Sequence, residues 1–192
     1  MSHCDTATLL TKNKRWIKEK LAQNTAYTAQ LCKGQSPAYL YIGCSDSRVD
    51  VCSFTQSDLG EIFIQRNIAN QAPLTDSAIQ ATLDYAIHAL KVQHVIVCGH
   101  EACGGVQAAI TKQAPESVLT WVKPISDLYN NQNSIDQSLP LAEQVNALVK
   151  LNVQAQIQHI KESPAYNSAE QKPQLHAWYF EFKTGAVQEL QA

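Results

Sequence analysis

Three short runs constrain what this chain can fold into: AYLYIG from Ala38 to Gly43, EIFIQR from Glu61 to Arg66, and HVIVCG from His94 to Gly99. Each is rich in β-branched or aromatic residues and too short for a helix, so each reads as a buried strand. Between the second and third, Ile79, Leu83, Ala86, Ile87 and Leu90 keep helical spacing, and Asp76 is placed to cap that helix. Strand, loop, strand, helix, strand predicts an α/β fold, with a mostly parallel central sheet flanked by helices. Ahead of the sheet, Asp5 is placed to cap a helix or helix pair carrying Leu9, Leu10, Trp16, Ile17 and Leu21 and ending near Gly34, with Pro37 as a stop. Residues 116 to 163 read as helices, broken near Pro124 and across the Asn/Gln/Ser-rich stretch from Asn130 to Ser138. LHAWYFEF and AVQEL, around Thr184 and Gly185, predict a C-terminal edge hairpin. No repeat or long linker divides the chain, so residues 1–192 are expected to form a single domain, a helical arm over 1–34 and an α/β core over 35–192.

Composition narrows the function classes. With 45% hydrophobic and 17% charged residues, the chain has the profile of a globular domain and needs no staples. Fifteen Lys+Arg against seventeen Asp+Glu leave a net charge of −2, which argues against nucleic acid or a membrane surface as partner. No apolar run approaches the roughly 20 residues of a spanning helix. The opening MSHCDTATLLTKNKRW lacks a basic region followed by an apolar core, which predicts a cytoplasmic location. Six cysteines (Cys4, Cys32, Cys44, Cys52, Cys98 and Cys103) then read as metal ligands or buried thiols rather than a disulfide framework. The sequence has neither a GxGxxG nor a GxxxxGK[ST] motif, which lowers the odds of dinucleotide or triphosphate binding.

Two segments carry chemistry, YIGCSDSRV (Tyr41 to Val49) and CGHEACGGV (Cys98 to Val106). Each begins where an apolar strand ends, the edge at which open parallel sheets place binding residues. Cys44, His100 and Cys103 offer two thiolates and an imidazole, the donors zinc prefers, and three ligands leave a fourth position for water. Asp46 and Arg48 read either as an ordinary loop ion pair or as a carboxylate held ionised and aimed beside a metal. The carboxylate can alternatively swing onto the metal and close its fourth position. A lone cysteine after a strand is usually core, so Cys98 reads as packing, while Cys4, Cys32 and Cys52 have no recognisable partner. His3, His88, His94, His159 and His176 read as surface or hydrogen-bonded residues.

CSDSR at 44–48, RNIAN at 66–70 and GHEACGG at 99–105 resemble the β-class carbonic anhydrases. The resemblance runs from about Gln35 through LHAWYFEF and is weakest over the first helix. It implies Cys44, His100 and Cys103 as zinc ligands and Asp46 with Arg48 as the catalytic dyad. It further implies Gln35 as a substrate-steering glutamine, and Phe63, Ile68, Tyr85 and Gly104 as pocket residues; core or interface packing is the plain alternative for the side chains, and a tight turn for the glycine. The implied reaction is reversible hydration of carbon dioxide to bicarbonate and a proton, by attack of zinc-bound hydroxide, in a dimer or dimer of dimers. Two thiolate ligands donate more charge than imidazoles, so activity is expected to rise at alkaline pH. Some bacterial members bind bicarbonate away from the metal and close the zinc with the aspartate. The tryptophan and tyrosine expected for that site are Tyr41 and Phe180 here, although Arg66 is kept; this departure implies an open fourth position. Competing readings are a zinc hydrolase acting on carbon disulfide or carbonyl sulfide, and a binding protein whose zinc is structural, with Asp46 or Cys52 as fourth ligand. A thiol redox protein is remote, because no C-x-x-C occurs.

Overall fold

A computed structural model describes residues 5–131 and 135–191. Cys4 and His3 lie outside them. The chain falls into two compact units, Met1–Gln35 and Ser36–Ala192. In the first, Asp5 caps helix α1 (Thr6–Gln23) by accepting a hydrogen bond from the Ala7 amide at 3.0 Å. Helix α2 (Tyr27–Leu31) follows, and Trp16 meets Tyr27 edge-on with ring centroids 5.9 Å apart. The pair stops at Leu31, three residues short of the expected end, because a turn separates it from Gly34, whose φ of 96° suits glycine. No residue of α1 is buried, and Leu9 and Leu10 are each 65% exposed.

The second unit is built on strands β1 (Tyr39–Cys44), β2 (Ile62–Asn67), β3 (His94–His100), β4 (Gln174–Phe180) and β5 (Val187–Leu190), in the order β2-β1-β3-β4-β5. The first four run parallel and only β5 is antiparallel. The C-terminal hairpin therefore forms with β4 inside the sheet and β5 alone at the edge. The helices are α3 (Val51–Thr55), α4 (Ser77–Asp84), α5 (Gly104–Thr111), α6 (Glu116–Trp121), α7 (Lys123–Asn131), α8 (Leu141–Glu162) and α9 (Pro164–Asn167).

β1 and β3 are apolar without alternation because both of their faces are covered. Leu40, Ile42, Val95 and Val97 pack against Ile79 and Leu83 of α4 and Val153 and Ile157 of α8. Tyr41, Ile96, Cys98 and Phe180 pack on the other face with Val51 of α3. Three local differences from the sequence reading have simple causes. The run Asp76–Leu90 is one rod, but its last turn, Tyr85–Ala89, is wound as a π-helix, with the Leu90 amide donating to Tyr85 O at 2.9 Å. The later helical region breaks at Val122, and Pro124 sits second in α7, where a missing amide forfeits no helical bond. Five-residue α3 is too short to leave a periodic signal.

Close approach dictates two glycines. A Cβ on Gly99 of β3 would lie 2.6 Å from Val149 Cγ1 and 2.7 Å from Val153 Cγ2, so glycine lets α8 sit directly on the strand. A Cβ on Gly105 of α5 would lie 2.6 Å from Ile68 Cγ2. Ile68 opens a tight turn, Ile68–Asn70, in which Ala69 and Asn70 take φ of 61° and 46°. Buried carboxamides hold this strained turn. The Asn67 side chain donates to Gln71 O at 2.7 Å and accepts from the Gln71 amide at 2.8 Å. Gln71 donates to Trp121 O at 2.9 Å, and Asn152 donates to Ala69 O at 3.0 Å. Gln156 accepts from the Ala72 amide at 2.8 Å and donates to Asn152 at 2.9 Å. The Trp121 indole closes the set by donating to Ile68 O at 2.8 Å.

Candidate metal centre

Cys44 ends β1 and His100 ends β3, and those strands are neighbours, so the register alone brings both residues to the carboxyl edge of the sheet. The chain then reverses through Ala102, whose φ of 53° is held by its amide donating to Asn146 Oδ1 at 2.9 Å. This reversal places Cys103 at the start of α5. The two sulfurs lie 3.9 Å apart, and all three ligand atoms lie within 4.8 Å of one another, all three residues buried. His100 Nδ1–H donates to Glu101 O at 2.9 Å, which fixes Nε2 as the bare nitrogen. That Nε2 is buried and has no hydrogen-bond partner. An orphaned buried acceptor is costly unless something occupies its lone pair, and a borderline cation shared with two sulfurs does so. The donor set fits zinc.

Electrostatics around the group point the same way. One hydrogen bond shared by the sulfurs lowers the Cys44 thiol well below its ordinary range and pushes Cys103 well up, as expected when two close sulfurs keep a single proton. The amides of Gly105 and Val106, in the first turn of α5, favour a thiolate at Cys103. Asp46 Oδ1 accepts from Arg48 Nε at 2.9 Å and from the Arg48 amide at 3.0 Å, and Oδ2 accepts from Arg48 Nη2 at 2.6 Å. These bonds hold the carboxyl well below the usual carboxylate range. Asp46 Oδ2 lies 3.9 Å from His100 Nε2, so the carboxylate faces the bare nitrogen.

Three residues that sequence reasoning gave no part here support this geometry. Arg66 of β2 donates from Nε to Cys44 O at 2.8 Å and from Nη2 to Asp46 O at 2.6 Å, clamping the loop between the ligand and the carboxylate. Phe182 lies under the Arg48 guanidinium, 4.3 Å from ring centroid to Cζ, and 5.2 Å from the His100 ring. Asn146 holds the Ala102 reversal. Arg66 was visible within RNIAN; Phe182 and Asn146 carried no signal, because contacts across 134 and 44 residues of chain leave no spacing pattern.

The other expected site residues are scattered. Gly104 opens α5 with free space around it, and Ile68 packs against Gly105, two residues beyond Cys103. Phe63 and Tyr85 meet each other with centroids 5.8 Å apart. Phe63 pairs with Leu40, four rows before the Cys44–Asn67 row, which is roughly 13 Å along a strand. Gln35 is exposed and closes the N-terminal unit. Cys98 is buried, which raises its thiol to about 12, and Cys32 is exposed. Among the described residues no fourth Cys, His or carboxylate joins the Cys44, His100 and Cys103 group.

A parallel sheet with two sulfurs and an imidazole at its carboxyl edge, and a fixed carboxylate beside them, defines an α/β protein with a group that could hold a metal ion. The sequence profile of the carbonic anhydrase family matches residues 39–187. A carbonic anhydrase of Emericella nidulans is 39% identical over 182 residues, 93% of this chain and 80% of that protein. The Coccomyxa β-carbonic anhydrase, solved in complex with acetazolamide, superposes with a TM-score of 0.92 at 30% identity, covering 97% of this chain and 86% of that one. One of two tetrameric β-carbonic anhydrases from Sordaria macrospora gives 0.87 at 31% identity over 97% of each chain. The chain belongs to the carbonic anhydrase family, in its β class.

Proposed function

We propose that this chain reversibly hydrates carbon dioxide to bicarbonate and a proton, with one zinc ion held by Cys44, His100 and Cys103. The observation that carries the reading is the bare, buried His100 Nε2 facing two sulfurs, with the Asp46 carboxylate 3.9 Å away. Bound there, zinc supplies Lewis acidity that brings the pKa of water from 15.7 toward neutrality. Asp46, kept ionised by Arg48, is acceptor-only; it takes a hydrogen bond from the attacking water and so aims the lone pair at carbon. Arg48 holds that carboxylate in direction, and Arg66 holds the loop on which both stand. Ile68, beside Gly104 and Gly105, offers an apolar wall that leaves linear carbon dioxide without competing hydrogen bonds.

An open fourth position is supported by the three hydrogen bonds that commit Asp46 to Arg48. A weak second bicarbonate site is supported by Arg66, whose Nε and Nη2 serve two carbonyls, and by Phe180, which lacks a hydroxyl. Phe63, four rows back on β2, and Tyr85 beside it suit an apolar pocket wall, and Gln35 is exposed and available to steer substrate. The uncovered apolar residues of α1 support a homo-oligomer, a dimer or dimer of dimers. Free thiols at Cys32, Cys44, Cys52, Cys98 and Cys103 persist most readily in a reducing compartment, which supports a cytoplasmic location. Stopped-flow hydration by zinc-loaded protein near pH 8 tests the reading. The expected result is a rate far above buffer, suppressed by a chelator or an inhibitory anion. A buffer-level rate with zinc bound would overturn it in favour of a sulfur-containing substrate or a binding role.

A further inference from the structure

At the opposite end of the strands from the metal group, three residues from three strands converge. His94 begins β3, His176 lies in β4 and Glu189 in β5. His94 Nδ1 and His176 Nε2 stand 3.1 Å apart, and His176 Nδ1–H donates to Glu189 Oε1 at 2.8 Å. The carboxylate fixes the tautomer of His176, so its Nε2 accepts a hydrogen bond from His94 Nδ1–H; a metal bound here would replace that bond once the His94 proton moves to its own Nε2, with Glu189 orienting His176 as outer-shell carboxylates do. Tyr39 stacks on His94 with centroids 5.2 Å apart and planes 20° from parallel, so that ring is held as well. Both imidazoles are half-buried, and His94 lines a cavity of about 700 Å³ together with His88, Lys91 and Gln174.

We propose that His94 and His176, backed by Glu189, form a second metal site on this chain, taking one borderline divalent cation such as Ni2+ or Zn2+. With metal–nitrogen bonds of about 2.05 Å, nitrogens 3.1 Å apart subtend roughly 98°, between octahedral and tetrahedral angles. Imidazole suits these cations, and two rings held in advance lose little freedom on binding. Water would complete the coordination. The cation would tie β3, β4 and the edge strand β5 to one another, and nothing in the proposal depends on the reaction at the first centre.

The test takes untagged protein carrying one zinc per chain, dialyses it against Ni2+ and counts nickel and zinc per chain, so the two sites are read by different elements. About one nickel per chain is expected with zinc retained. His94→Gln and His176→Gln should abolish nickel uptake, Glu189→Gln should weaken it ten- to hundredfold, and His88→Ala should leave it unchanged. Glu189 is exposed, so its variant keeps the test valid if a histidine variant folds poorly. No nickel uptake below millimolar concentration, or uptake indifferent to both histidine changes, would overturn the proposal.

Discussion

Replacing Phe182 with Leu removes the surface on which Arg48 rests while leaving every metal ligand in place. The guanidinium lies 4.3 Å from the ring centroid and its side chain is 57% exposed, so the cation–π contact belongs at the weak end of its range, about 0.5–1 kcal/mol. If Phe182 serves the reaction only by keeping Arg48 on Asp46, that energy converts to a roughly two- to fivefold fall in kcat/KM. Stopped-flow hydration with matched zinc contents reads it, and Phe182→Tyr, which keeps the ring, should stay within about twofold of the parent. The decisive comparison is the Asp46→Asn background. With the carboxylate gone there is nothing left for Arg48 to hold, so adding Phe182→Leu should cost nothing more. A Phe182→Leu variant as fast as the parent, or one whose loss simply adds to that of Asp46→Asn, would refute the link from ring to guanidinium to carboxylate.

Gly99→Ala drives a methyl into Val149 and Val153, and overpacking of this kind costs about 1–3 kcal/mol. Calorimetry should show Tm falling by roughly 2–12 °C; an unchanged Tm would mean α8 moves aside freely. Cys44→Ser replaces a soft thiolate with a hydroxyl and should remove zinc and hydration together, as metal analysis and stopped flow would show; full activity without Cys44 would dismiss it as a ligand. The sulfur pair keeps one proton at neutral pH because its second ionisation is pushed up, whereas zinc takes both sulfurs as thiolates. Zinc binding should therefore release about one proton and strengthen about tenfold per pH unit below that second ionisation. Calorimetric titration in buffers of different ionisation enthalpy measures the proton, and an affinity flat between about pH 6 and 8 would contradict the shared-proton pair.

The sheet was legible because β1 and β3 are buried on both faces, which leaves uninterrupted apolar runs, and because Asp76 caps α4 as its position suggests. The Cys44, His100 and Cys103 group was legible because two of its members end neighbouring strands and the third opens the helix that follows one turn later, so a short sequence pattern maps onto one edge. Phe182 and Asn146 reach the site from distant loops and helices, and no periodicity marks them. The helix pair stops at Leu31, three residues before the expected end, and the π-winding after Asp84 left no mark in the sequence, since local winding depends on tertiary packing that residue spacing does not encode. Phe63 stands four rows before the Cys44–Asn67 row, and Tyr85 of the helical turn after α4 meets it, a pairing across chain segments that spacing does not encode.

The strained turn at Ile68–Asn70 packs beside Cys44, Cys103 and Gly105, yet it hangs on Asn67, Gln71, Asn152, Gln156 and the Trp121 indole, none of which ionises. His159 touches this set by reaching Gln156 at 3.1 Å, and its burial favours the neutral ring. An enzyme that produces a proton at every forward turnover lives with a fluctuating local pH. A frame of carboxamides is electrically silent under that fluctuation: it neither swells with charge nor releases its grip as protons come and go. The titration of the site is thus insulated from its own scaffold, and the pH profile of this protein should report the few groups at the metal, not the fold that carries them.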